Sequence, residues 1–179
     1  KPDAQPRVIQ PFPLSRYDQL RLEFHEDVEV MEGKAYWAEP GEPHEWGSPS
    51  FVVDQDGKGL LGRPVRDYRW PNSQTFDVGW PSPQADRDLA AAQKGDLHTT
   101  LDCIWGFTQV PITEETSRIH ALVAKRGILR PTVLYFGPKQ GPGIFQSLIN
   151  KTFGKVRGPN NEEFVAIFTD DVSRSTASD

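Results

Sequence analysis

The apolar positions of this chain fall into short runs that alternate between helical and extended spacing. Ser15, with Asp18 three residues on, makes a capping-box-like start. Leu20, Phe24, Val28 and Met31 then recur at helical spacing to about Glu32. Residues 1–14 read as an extended lead, and 34–48, rich in Pro, Gly and acids, as a loop. Phe51 to Val53 predicts a short strand, 54–59 a hairpin tip, and Arg63 to Tyr68 the return strand. A Pro-rich bend at 80–83 precedes a helix over 86–94, ended by Gly95. Leu97 to Ile104 alternates toward a buried strand that carries Asp102. Further strands are expected at 108–112, 119–125 and 130–135, and a helix at 143–153. Phe164 to Thr169 predicts a strand entering an Asp170-Asp171 turn, and 173–179 a loose polar tail. This order suits an α+β sheet with helices on one face.

The chain has 179 residues, which suits one domain or two interleaved subdomains. Hydrophobic residues make up 36%, enough for a modest core anchored by five Trp and ten Phe. A single cysteine, Cys103, excludes an internal disulfide and fits an intracellular, reducing compartment. Its place in an apolar run reads as a small buried side chain rather than a nucleophile. No run reaches the length of a transmembrane span. The start is polar and lacks an initiator Met, so a processed product or a piece of a longer chain is expected. His25 lies among Glu23, Glu26, Asp27 and Glu29, which reads as a solvated face without metal-ligand spacing. The net charge of −5 argues against a nucleic-acid-binding module that grips a duplex by itself, because phosphate contacts depend on Lys and Arg.

Two strings carry the chemistry. Leu101-Asp102-Cys103-Ile104-Trp105-Gly106-Phe107 and Phe168-Thr169-Asp170-Asp171 each put carboxylate at the end of an apolar, strand-like run. If those strands pair, three carboxylates meet at one sheet edge. Such a set can hold two Mg²⁺ ions, which prefer hard oxygen ligands and substrate phosphates. Two metals so held can activate a 3′-hydroxyl and stabilise a leaving pyrophosphate.

Together, in this order, the strings resemble the reverse transcriptases of retroviruses and gypsy-type LTR retrotransposons, from roughly Pro11 to Ser173. Pro11-Phe12-Pro13-Leu14-Ser15 looks like the family's lead into a helix, and Gly47-Ser48-Pro49-Ser50-Phe51-Val52-Val53 like its first fingers strand, with Trp46 just ahead. Arg63-Pro64-Val65-Arg66-Asp67-Tyr68-Arg69 with Asn72 looks like R-x-x-x-D-[YFL]-R-x-x-N. Asp102, Phe107 and Gln109 fit the first palm motif. Gly137 to Gln146 resembles G-x-x-[NGS]-[SA]-P-x-x-F-Q, and Phe168 to Asp171 takes the Y-x-D-D place.

The resemblance implies a fingers–palm fold with an antiparallel palm sheet, helices on one face and no thumb. Fingers would take 1–76 and 111–141, and palm 77–110 and 142–179. Asp102, Asp170 and Asp171 would hold Mg²⁺ or Mn²⁺. Arg63 would pair with the incoming triphosphate. Phe107 would lie beneath the sugar and favour deoxynucleotides. Gly137 would let backbone approach the base pair, and Gln140 would touch template. Asp67 and Arg69 would brace the fingers. Partners would be an RNA or DNA template-primer and deoxynucleotides.

Departures point elsewhere. Asp54-Gln55 stands where relatives carry Lys-Lys, and a carboxylate there should repel a triphosphate. Lys58 could substitute if the tip folds back. Phe168 replaces the usual Tyr, and Pro138 and Gly143 depart from common choices. The sequence runs only eight residues past Asp171, so the isolated chain is expected to be incomplete as a polymerase. The alternative is a retroelement-derived, non-catalytic structural or accessory subunit of a larger assembly, with no cofactor.

Overall fold

The computed structural model describes residues 1–57, 59–79, 97–153, 165–168 and 171–176. The chain is mixed α+β and divides into two compact units, Lys1–Asp77 with Phe107–Lys139, and Val78–Gly106 with Gln140–Asp179.

The first unit contains α1 (Arg16–Met31), β1 (Ala35–Trp37), β2 (Ser48–Val53), β3 (Arg63–Arg66) and α2 (Arg69–Gln74). Its second segment adds α3 (Glu114–Ile119), β5 (Leu122–Ala124) and β6 (Gly127–Pro131). The five strands form one sheet in the order β1-β6-β5-β2-β3, antiparallel except where β2 runs parallel to β5. The core gathers Ala35, Tyr68, Leu122, Leu129 and Tyr135, with Val30, Trp37 and Val133 packed against them.

Ser15 starts α1 as the spacing predicts: its Oγ accepts from the Asp18 amide at 3.1 Å. The apolar stripe is a different matter. Leu20, Phe24 and Met31 are exposed, Met31 by 80%, while Arg21, Leu22 and Glu26 are buried. Pairing makes this burial tolerable. Arg21 bonds Asp18, Asp54 and the Leu61 carbonyl, and Glu26 meets Arg126 at 3.3 Å.

Several expected elements are corrected. Residues 34–48 contain a strand, β1, and the lead segment is tied to Gly47 by a bridge at Val8. The strand expected at 108–112 is a 3₁₀ turn, Gly106–Gln109, followed by a single bridge from Pro111 to Val133. Pro111 has no N–H with which to extend a ladder. The strand expected at 119–125 is shortened by α3, whose N-cap Thr113 accepts from the Thr116 amide at 3.2 Å. The return strand ends at Arg66, because Tyr68 already serves as the N-cap position of α2. The strand expected at 130–135 runs instead from Gly127 to Pro131.

The second unit contains β4 (Leu97–Asp102), α4 (Gly141–Phe153), β7 (Val165–Phe168) and β8 (Asp171–Thr176). The strands form an antiparallel sheet, β4-β8-β7, on which α4 packs at β7. β8 takes 173–176 of the tail expected to be loose, and 177–179 lie outside the described residues. A polar strand flanked by a ladder on each side satisfies its backbone without an apolar pattern. β4 is an edge strand with Thr99, Thr100 and Leu101 exposed, not the buried strand its alternation suggested. Cys103 is half-buried. The bend at 80–83, the helix at 86–94, Lys58 and Asp170 lie outside the described residues. No helix among the described residues is long and apolar enough to cross a membrane.

Candidate functional site

In the second unit, Asp102 closes β4 and is exposed. Its register partner in β8 is Asp171, and Asp171 in turn pairs with Phe168 of β7. Asp102, Asp171 and Phe168 therefore form one row across three strands. Directly opposed residues of an antiparallel ladder have Cα atoms about 4.5–5.5 Å apart. The strands of the two motifs were expected to pair directly; β8 lies between them instead. Among the described residues, which exclude Asp170, no group of three His, Cys, Asp or Glu is placed to hold a metal. Asp102 and Asp171 are directly opposed acids, an arrangement that destabilises a sheet unless their charges are offset.

The chain turns sharply after Asp102. Trp105 adopts a left-handed φ of 54°, uncommon for a bulky residue. Gly106 follows because nothing larger fits: a Cβ there would meet the Phe145 ring of α4 at 2.5 Å. The Asp102 string and the Phe145-Gln146 pair of the second motif are thus packed together. Gln140 accepts the Ile144 amide at 3.0 Å, which places it at the start of α4.

In the first unit, Phe107 is buried against Phe136, ring centroids 4.6 Å apart. The Arg63 guanidinium lies over the other aromatic partner of this pair, 4.9 Å from the Phe136 centroid. Arg63 opens β3 and is exposed. Phe136 was not singled out from the sequence. The signal available was an aromatic directly before Gly137.

Gly137 has φ +114°, and a Cβ there would come within 3.0 Å of the Tyr68 ring. Asn72 holds the same turn from the other side. Its Nδ2 donates to the Gly137 carbonyl at 2.9 Å, and its Oδ1 accepts from the Lys139 amide at 2.7 Å. Gly137→Ala is accordingly expected to cost about 1–3 kcal/mol, from backbone strain and the Tyr68 contact together. Urea unfolding of the variant checks this, and an unchanged midpoint would contradict it.

Asp67 binds Arg69 through both carboxylate oxygens, at 2.8 and 2.6 Å, and that bond holds the Asp67 carboxyl below the usual range. The pair spans two positions of one turn. Both residues border a cleft of about 400 Å³ also lined by Phe12, Phe51, Asn72 and Gly137. Tyr68 crosses beneath, donating to the His120 carbonyl at 3.2 Å. Burial lowers the His120 imidazole to about 4, so it is neutral at pH 7.

Asp54, whose carboxylate is expected to repel a triphosphate, is held by Arg21 at 2.6 Å. That hydrogen bond raises the pKa of Arg21 further above its ordinary value. Gly62, at φ +60°, is what lets Arg21 reach: a Cβ at 62 would collide with the Arg21 guanidinium.

No protein-family model matches the chain. A polyprotein of Cassava vein mosaic virus is 24% identical over 157 residues, 87% of this chain and 23% of its own length. The enzymatic polyprotein of Cauliflower mosaic virus (strain D/H) is 28% identical over 127 residues, 70% of this chain and 18% of its own length. The chain thus spans about a fifth of the length of these curated relatives. Among solved structures, the foamy viral protease-reverse transcriptase in complex with double-stranded DNA matches with a TM-score of 0.81 at 19% identity, over 97% of this chain and 34% of that one. The fold is therefore reverse-transcriptase-like, with low-identity homology to viral enzymatic polyproteins.

Proposed function

We propose that the chain is the fingers–palm portion of an RNA-directed DNA polymerase of the gypsy-type retroelement kind. The observation that carries this reading is the register pairing of Asp102 with Asp171, the last residue of the Phe168-Thr169-Asp170-Asp171 string. The first unit takes the fingers role and the second the palm role. Asp102, Asp170 and Asp171 hold Mg²⁺ or Mn²⁺; when bound, the metals supply a polarised 3′-hydroxyl and charge stabilisation at the leaving pyrophosphate. Arg63 binds triphosphate oxygens through its planar fork. Phe107 sits beneath the sugar and disfavours a ribose 2′-hydroxyl. Gly137 and Gln140 belong to the segment that meets the templating base pair. The partners are a template-primer and deoxynucleotides, a reading supported by the foamy viral enzyme's complex with double-stranded DNA.

A second reading, a non-catalytic subunit of a larger assembly, draws on one observation. The fingertip offers Asp54 locked to Arg21 where a triphosphate-binding lysine is expected. One experiment separates the two. The chain is titrated with deoxy- and ribonucleoside triphosphates in Mg²⁺, and then assayed for primer extension on RNA with Mn²⁺. The polymerase reading predicts about tenfold or greater preference for the deoxynucleotide and no extension by residues 1–179 alone, because a primer held even about 1 Å out of line loses about a hundredfold in rate. Absence of nucleotide binding would favour the subunit.

A further inference from the structure

Phe136 meets two residues of the proposed nucleotide site: its ring centroid is 4.9 Å from the Arg63 guanidinium and 4.6 Å from the Phe107 ring centroid. We infer that Phe136 is a positioning residue: its ring packs against both Arg63 and Phe107, and so presents the triphosphate-binding cation and the sugar-sensing ring as one unit. This rests on the polymerase reading above.

The argument is geometric. Both aromatic members have fixed bases. Phe107 lies within the 3₁₀ turn Gly106–Gln109, and its carbonyl accepts from the Val110 amide at 3.0 Å. Phe136 follows buried Leu134 and Tyr135 and precedes Gly137, whose carbonyl is held by Asn72. The Phe136 ring is 44% exposed where the chain leaves the core. Arg63 is the flexible member, a long side chain at the start of an edge strand. Among the described residues no carboxylate lies within ion-pair distance of it.

A guanidinium stacked on a ring engages through its face and keeps its N–H edge free for oxygen acceptors. The stack therefore narrows the positions Arg63 can take without using the donors that a phosphate needs. An aliphatic side chain of similar bulk would fill the space but offer no negative face. The order of dependence is also clear: the Phe107–Phe136 pair is anchored by backbone at both ends, and Arg63 rests upon it.

The test measures affinity of the whole chain for a fluescently labelled deoxynucleoside triphosphate in Mg²⁺, alongside thermal unfolding. Phe136→Leu is expected to weaken binding about threefold to tenfold. Phe136→Trp, which keeps the ring face, should restore affinity to within about twofold. Arg63→Ala with Phe136→Leu should bind no more weakly than Arg63→Ala alone, because the two act through one contact. Unchanged affinity in Phe136→Leu, failure of Trp to restore it, or additive losses in the double variant would overturn the inference while leaving the polymerase reading in place. A wild-type chain that binds no nucleotide, yet shows Arg63 and Phe136 coupled in thermal unfolding, would overturn the polymerase reading, and the positioning role with it.

Discussion

Glu29→Ala is expected to lower the stability of the first unit by about 3–5 kcal/mol, the cost of leaving a buried ion without its partner. Glu29 is the centre of a buried network that joins α1 to both segments of that unit. Its Oε1 accepts from Arg66 Nη2 at 2.6 Å, and its Oε2 from the Tyr135 hydroxyl at 2.8 Å. The Arg66 side chain is only 4% exposed, and its Nε and Nη1 have no hydrogen-bond partner. Burial is the strongest influence and works against the Arg66 charge, yet Glu29 together with Tyr135 and Tyr68 holds the guanidinium above its usual pKa. The Tyr135 hydroxyl is likewise pushed up, by burial first and then by the Glu29 charge. Removing Glu29 therefore strands a cation in the core and unties a hydroxyl. Replacing the pair together, Glu29→Leu with Arg66→Met, should recover most of the loss, since apolar packing often matches a buried ion pair. As a control, Glu114→Ala breaks the exposed Arg118 pair at 3.1 Å and the exposed hydrogen bonds from the Tyr36 hydroxyl at 3.0 and 3.2 Å, and should cost no more than about 1 kcal/mol. Urea unfolding followed by circular dichroism distinguishes these outcomes. Equal costs for Glu29→Ala and Glu114→Ala would refute the account of the core.

The largest functional effect is expected at Asp102. Asp102→Asn keeps the shape of the side chain and removes its charge. If the carboxylate helps to hold the metals, incorporation of deoxynucleotides on a primed template should fall about a thousandfold, corresponding to roughly 4 kcal/mol of lost transition-state stabilisation. That holds for any longer polypeptide containing this chain. Stability should change by no more than about 0.5 kcal/mol, because the residue is exposed at a strand end and opposes another acid. Large loss of incorporation with intact folding separates a chemical role from a structural one. Retained incorporation in Asp102→Asn would show that the chemistry lies elsewhere.

Much of the architecture was legible because short-range chemistry dictated it. Ser15 and Asp18 announced α1, and alternation with turn residues located the β2–β3 hairpin. The strand before Asp102 and the helix ending at Phe153 followed from periodicity. What was hidden had identifiable causes. β8 is built from Asp171, Val172, Ser173, Arg174, Ser175 and Thr176, and its place between two partners relieves it of any need for an apolar face. The buried side of α1 carries Arg21 and Glu26, whose partners lie 33 and 100 positions away, so spacing along the helix pointed to the wrong stripe. The pairing of Asp54 with Arg21 was invisible for the same reason. Asp102, Arg63, Phe107 and Gly137 were nominated from motifs. Phe136 was not, because its contacts with Arg63 and Phe107 join residues distant in sequence.

The central claim is that the carboxylates of the two strings form one metal-binding site. Its most direct test is titration of the chain with Mn²⁺, followed by electron paramagnetic resonance, with and without a deoxynucleoside triphosphate, for the wild type and for Asp102→Asn with Asp170→Asn. Weak binding by the wild type that tightens when nucleotide is present, and that is lost in the double variant, is the predicted result, since sites for such ions draw part of their coordination from substrate phosphates. A titration that is the same in both proteins would contradict the claim.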